Sequence, residues 1–358
     1  MDAPRPDPAA LAYLRACPKV ELHVHLEGAI RPQRLLEVMR RNGLHPHLRT
    51  VDDLMPLFRH DDFAAFLDHF RFVVTCLRQV EDVHDVALDL CRDLVAQQVV
   101  YAEVIFSAAV FVRAGMPLDA LLDAVLRAEA TAWRESSGSG PGIAPRYNLV
   151  LDVVRNFGPE AAQASVAEMI RLGHPRVVGL HLGGDEVRYP ARDFAAAYAM
   201  AAEAGLGCAA HAGEADGPAS IRDAIGVLGA QRIGHGIRAV EDRELVQQII
   251  ERDVLLEVCP TSNVRTGVVS EWAQHPLPEL LRSGVRVVLG ADDPSYFDTT
   301  LTGELMLAHT RFGLDLAQLD ACTENGLRGA FIPAAERADR LDDLRTRRAA
   351  ARLATGII

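Results

Sequence analysis

Eight short runs rich in valine, isoleucine and leucine punctuate the chain, at Val20–His25, Val99–Phe106, Tyr147–Val154, Val177–Leu182, Gly207–His211, Gln231–His235, Val254–Val258 and Arg286–Gly290. Most are followed by a stretch with helical spacing of its apolar residues. Several are apolar throughout, which suits strands covered on both faces. Strand, helical crossover and strand, repeated, is the pattern of a parallel sheet wrapped in helices. Eight such units in 358 residues predict an α/β fold of one (β/α)8 TIM barrel. The spacing predicts a single domain over 1–358, with its core at about 18–333.

The intervening segments carry helix punctuation. Pro32 suits a first helical turn, and "RLLEVMRRNG" ends at Gly43 as a C-cap. Residues 26–98 are too many for one crossover helix. There "HDDFAAFLDHFRFVVTCL" predicts a helical insertion after the first strand, laid over the barrel mouth. The Gly/Ser/Pro-rich Glu135–Pro145 reads as a surface loop before the third strand. Glu336–Arg352 reads as a solvated outer helix.

Composition narrows the function classes. A formal charge of -12 argues against nucleic acid and anionic membranes as partners, since both want a basic face. No segment reaches the ~18 apolar residues of a membrane span, and the acidic, proline-rich start lacks the apolar core of a leader. Six cysteines without C-x-x-C spacing suit reduced thiols in a cytoplasmic protein. Lys19 is the sole lysine.

The chemistry-capable residues gather at strand ends. In "KVELHVHLEG", alternation sends Val20, Leu22, Val24 and Leu26 to one face and Glu21, His23 and His25 to the other. Alone, this His-x-His suits a wet strand edge as well as a metal. "HAGE" places His211 and Glu214 after the fifth strand, "RIGHG" places His235 after the sixth, and "LGADDP" places Asp292 and Asp293 after the eighth. Taken singly, a bonded core histidine, a turn or an Asx-turn accounts for each. In a closed parallel barrel, however, all these ends meet at one mouth, where such folds carry their active sites. Three imidazoles and a carboxylate, from His23, His25, His211 and Asp292, suit zinc and are too nitrogen-rich for calcium or magnesium. One Zn2+ per chain would bring the pKa of a water towards ~7. Glu214 lies close enough to shuttle a proton, and His235 and Asp293 can hold or deprotonate the water.

In order along the chain, "PKVELHVHLEGAIRP", "GGDE", "HAGE", "RIGHG", "LEVCPTSN" and "GADDP" resemble the motif series of the adenosine deaminases, from about Pro18 to Pro333. The resemblance implies a zinc barrel that hydrolyses the 6-amino group of a purine, a small-molecule substrate, and releases ammonia. It implies that His23, His25, His211 and Asp292 bind the metal and that Glu214 protonates purine N1. His235 would orient the attacking hydroxide and take its proton. Asp293 would bond N7, and the Gly184 backbone N–H would meet N3.

Two neighbouring chemistries fit poorly. Barrels with two metals bridged by a carboxylated lysine need that lysine after strand four, and Lys19 opens strand one. The H-x-E with P-C-x-x-C pattern of cytidine deaminases is absent. Glu27, directly after the His-x-His strand, is expected to turn its carboxylate into the same mouth and bind the substrate at the end away from the metal, with His25 also touching the substrate. Family members acting on adenosine carry "HLDG", whose aspartate bonds the ribose 5′-hydroxyl, and this chain has "HLEG", as in relatives acting on adenine or 5′-modified nucleosides. "GGDE" is the form of the adenosine branch. The expectation is adenosine first, then a 5′-extended adenosine such as aminodeoxyfutalosine, or free adenine, and last a barrel that binds a purine without turnover.

Overall fold

The structure is a computed structural model that describes residues 7–60, 62–136 and 146–357. Eight parallel strands pair in chain order: β1 (Lys19–His25), β2 (Val99–Phe106), β3 (Arg146–Asp152), β4 (Val177–His181), β5 (Gly207–Ala212), β6 (Arg232–His235), β7 (Leu255–Val258) and β8 (Arg286–Leu289). These are the eight runs expected, and nearly every strand residue is buried, as two covered faces require. The wet edge that β1 might have been does not exist, because all seven of its residues are buried.

The barrel closes just beyond β8. Asp292 N–H donates to His23 O (2.8 Å), and His25 N–H donates to Asp292 O (2.9 Å). The Glu21 carboxylate adds a stitch by accepting from Ala291 N–H (3.3 Å). A residue expected to bind metal is thus also part of the seam.

The insertion after β1 forms as expected. Asp62 caps the helix Phe63–Val74 by accepting from Ala65 N–H, and Phe63, Phe66, Leu67 and Phe70 fall on one face of it. Phe66 packs on Tyr296 and Phe297, which follow β8, so the helix lies over the mouth. The crossover to β2 is a separate helix, Val80–Ala96. Most of the loop expected at Glu135–Pro145 lies outside the described residues; its first residue ends the helix Leu118–Glu135.

The tail differs from expectation. It is a helix, Ala334–Thr355, but one stripe is buried, with Leu344 fully enclosed. Arg340 and Arg348 flank Leu344 four residues to either side, on the same stripe. Arg348 donates to Pro18 O and Asp320 O, and Arg352 reaches Asp320 as well. The stripe escaped notice because arginine stems, not apolar residues, make two-thirds of it.

The opposite end of the barrel, its floor, is filled by the chain itself. Glu103 (β2), Arg232 (β6) and Glu257 (β7) belong to strands that are mostly not neighbours, so they meet in the interior. Arg232 pairs with both acids, at 2.7 Å to Glu257, and its guanidinium lies 3.8 Å from the Phe331 ring centre. A Cβ on Gly207 would stand 2.1 Å from that ring, so β5 needs glycine where Phe331 plugs the floor. Lys19, fully buried, donates to Cys17 O (2.8 Å), Gln97 O (2.9 Å) and Arg15 O (3.3 Å). All six cysteines are free and buried, and no described helix is long and apolar enough to cross a membrane.

Candidate active site

The strand ends bring the expected groups together. Ligand atoms of His23, His25, His211 and Asp292 all lie within 4.8 Å of one another, and all four residues are buried. His23 Nε2 and His25 Nε2 stand 3.4 and 3.3 Å from Asp292 Oδ1, and His25 Nε2 stands 3.4 Å from His211 Nε2. A tetrahedral zinc with bonds of ~2.0–2.1 Å sets its ligand atoms about 3.3 Å apart, so these spacings fit the ion. His23 is aimed from behind by Glu257, whose Oε2 is 2.8 Å from its Nδ1. Burial among four other imidazoles pulls His211 well below the usual histidine range, whereas, against burial, Asp292 and Glu257 draw His23 upward, so the three ring nitrogens do not share one electrostatic environment.

Around this cluster stand the groups expected to act on substrate. His235 Nε2 is 3.6 Å from Glu214 Oε2 and 3.8 Å from Asp292 Oδ2. Burial, with Asp292 and Glu186 nearby, pushes the Glu214 carboxyl well above its usual range. Burial and Asp292 do the same to Asp293, whose Oδ1 has no hydrogen-bond partner among the described residues. Burial holds His235 down at about 3. His235 and Asp292 both adopt left-handed backbone, with φ of 62° and 60°. For residues other than glycine this costs about 1–3 kcal/mol each, and such strain collects at functional sites. Gly184 has φ of 98°, and a Cβ there would stand 2.5 Å from Asn156 Oδ1, so its backbone lies bare on the cavity.

Other participants were missed from sequence. Glu186 of "GGDE" accepts from four successive backbone N–H groups, Gly213 to Asp216, and so fixes the loop that carries Glu214. Arg155, fully buried, donates to His211 O and Tyr189 O. Asp152 and His181 close β3 and β4 and are bonded to each other at 3.1 Å. These two had the same strand-end signal as the expected ligands. Glu186 ends the motif "GGDE", which drew attention to the substrate and not to this role, and Arg155 belongs to no motif.

Glu27 does not line the cavity. It is 1% exposed, its Oε1 accepts from Ser107 N–H (2.9 Å), and its Oε2 has no hydrogen-bond partner among the described residues. Ser107 does line the cavity, and its hydroxyl donates to Asp152 Oδ2 at 3.2 Å. The Glu27 carboxylate thus turns to the loop after β2 and not into the cavity.

The cavity holds about 520 Å³. His25, His211, Glu214, His235, Asp292 and Asp293 form its inner end. Asp152, Gly183, Gly184 and Asn156 form one side. Phe63, Phe66, Leu67, Phe70 and Val74 of the inserted helix, with Val110 and Phe157, form an apolar outer part, and Arg71 and Arg188 stand at its rim.

Residues 18–347 match the model of the family described as adenosine deaminase. The chain is 40% identical to an aminodeoxyfutalosine deaminase of Acidothermus cellulolyticus, over 84% of this chain and 85% of that one. It is 36% identical to an adenine deaminase of Rhizobium leguminosarum, over 88% and 94% respectively. The crystal structure of an adenine deaminase from Arthrobacter aurescens superposes with a TM-score of 0.85 at 29% identity, covering 92% of this chain and 99% of that one.

Proposed function

The chain belongs to the adenosine deaminase family, and from that premise we propose that it hydrolytically deaminates a 5′-extended adenosine. The observation that carries the extension is the cavity. At about 520 Å³ it has more room than a bare purine fills, and the surplus is an aromatic, apolar channel ending at the exposed Arg71 and Arg188, each paired with a neighbouring carboxylate, Asp68 and Asp185. An apolar group on the 5′ carbon suits that channel, and an anion at its tip would share the arginines with those two carboxylates. The resemblance in the sequence puts adenosine first. The cavity, and the 40% identity to an aminodeoxyfutalosine deaminase, favour the extended nucleoside. Free adenine is the second reading, favoured by relatives such as the Rhizobium adenine deaminase.

His23, His25, His211 and Asp292 would hold one zinc ion. A zinc there would supply an acidified water for attack on the ring carbon bearing the amino group. Glu214, kept protonated by burial, delivers its proton to N1 and so makes C6 electrophilic. Asp293, whose carboxyl burial pushes upward, can in its protonated form donate to N7, which has only a lone pair to offer. The Gly184 N–H meets N3, and His235 holds the attacking water in line. Asp152 and Ser107, beside Gly183 and Gly184, then border the edge of the ring that carries the sugar.

The test is kcat/KM on adenine, adenosine, 5′-methylthioadenosine and aminodeoxyfutalosine, followed by the change in purine absorbance. The extended substrate should lead by at least tenfold, about 1.4 kcal/mol of transition-state binding. Adenine ahead of all three nucleosides would overturn the proposal in favour of the second reading.

A further inference from the structure

Asn263 and His275 lie behind His235, away from the cavity, and both are buried. Their hydrogen bonds form a line whose polarity is fixed at its far end. Leu277 N–H lies 3.1 Å from His275 Nδ1. A backbone amide only donates, so Nδ1 accepts and the proton of the neutral ring sits on Nε2. Burial, which pulls His275 down to about 4, keeps that ring neutral. His275 Nε2 is 3.2 Å from the Asn263 side-chain oxygen. The opposite orientation of the amide would set two donors against each other. The Asn263 NH2 group is therefore turned towards His235 Nδ1, at 3.1 Å, and an NH2 group also only donates. With its Nδ1 lone pair engaged, a neutral His235 carries its proton on Nε2. That atom has no hydrogen-bond partner among the described residues and faces Glu214 and Asp292.

We infer that Asn263 and His275 are positioning residues that hold neutral His235 as its Nε2–H tautomer, so that it meets the reacting atoms as a hydrogen-bond donor. This departs from the proton-accepting role that family resemblance implies for His235. A fixed donor orients the attacking oxygen or the departing amino nitrogen. That functional half rests on the deaminase reading above, and the tautomer itself does not.

The zinc-loaded enzyme, labelled with ¹⁵N-histidine, is read by long-range ¹H–¹⁵N correlation, with His235 assigned from the signals lost in His235→Gln. The expected spectrum has a protonated Nε2 and a bare Nδ1. Asn263→Asp replaces the donor with an acceptor and should move the proton to Nδ1. Its kcat should fall by roughly 10²–10⁴-fold, the range found when a catalytic imidazole loses its role or tautomer, while KM moves less. His275→Gln can still donate to Asn263 and should keep both tautomer and most activity, whereas His275→Leu should degrade both. A wild-type His235 protonated on Nδ1 would overturn the inference. So would an Asn263→Asp enzyme whose tautomer reverses with kcat within a small factor of wild type. Should Asn263→Asp not fold, the wild-type spectrum and the two His275 variants still decide. A wild type inactive on every 6-aminopurine would sink the deaminase reading alone, because the spectrum does not depend on turnover.

Discussion

At the floor of the barrel, Arg232 sits between Glu103 and Glu257, and Glu103 also accepts from Tyr101 OH and Phe331 N–H. At the mouth, His23 Nε2, His235 Nε2 and Asp293 Oδ1 are equally buried with no hydrogen-bond partner among the described residues, and the two imidazole nitrogens come no nearer a carboxylate oxygen than 3.4 and 3.6 Å; at the floor, Arg232 Nε and Glu257 Oε1 are likewise outside hydrogen-bond geometry but face each other as an ion pair at 2.7 Å. The same interior thus treats buried charge in two ways. The floor neutralises it with the chain's own groups, which makes a structural network. The mouth leaves polar atoms converging on shared space and adds two strained backbones, which makes a site for something the chain does not supply.

The contrast can be broken most severely at the mouth. Chelation should abolish turnover, and added zinc should restore it, with about one ion bound per chain. His23→Ala should lose metal and activity together, because three remaining ligands hold zinc poorly. Full activity in metal-free protein would end the argument for this end of the barrel.

Glu214→Gln removes one proton and almost no volume. It should keep zinc content and Tm and lose roughly 10²–10⁴-fold or more of kcat, since N1 protonation creates the electrophile. A Tm drop comparable to a floor variant would mean that Glu214 belongs to the structural network after all.

The floor should respond in the opposite sense. Glu103→Gln leaves Arg232 half-paired in a dry interior and should cost about 3–5 kcal/mol of unfolding free energy, while kcat per folded molecule stays near wild type. Urea unfolding alongside active-site titration separates the two readouts. A loss of kcat without loss of stability would show that the ends are coupled through Glu257 and His23.

The smallest effect sharpens the boundary between them. Glu27→Asp withdraws the carboxylate from Ser107 N–H. It should shift the kcat/KM ratio between adenine and 5′-extended substrates by about ten- to a hundredfold, equivalent to 1–3 kcal/mol, with zinc retained. Equal changes on all substrates would mean that Glu27 serves only to hold the loop.

The barrel and its mouth were legible in the sequence because burial on both strand faces writes itself as apolar runs, and because strand ends must converge. His23, His25, His211, Glu214, His235, Asp292 and Asp293 could be singled out for that reason. The supporting groups could not. Glu186 and Asn263 end the quoted motifs "GGDE" and "LEVCPTSN", but they, like His275 and Arg155, act through hydrogen bonds between residues distant in sequence, and no local spacing encodes those roles. Glu27 was legible as a departure, but the expected turn into the cavity is not what forms: a carboxylate placed just after a ligand strand can turn to the cavity or to a neighbouring loop, and packing turns this one to Ser107.

The chain's sole ε-amino group is the buried Lys19, engaged with three carbonyl oxygens at the barrel floor. Amine-reactive reagents therefore find no lysine to modify on the folded molecule. When the floor opens, one such target is released. A brief pulse of an acylating reagent, read as a single mass increment on the peptide containing Lys19, becomes an intrinsic clock for opening of the barrel, with no reporter group introduced.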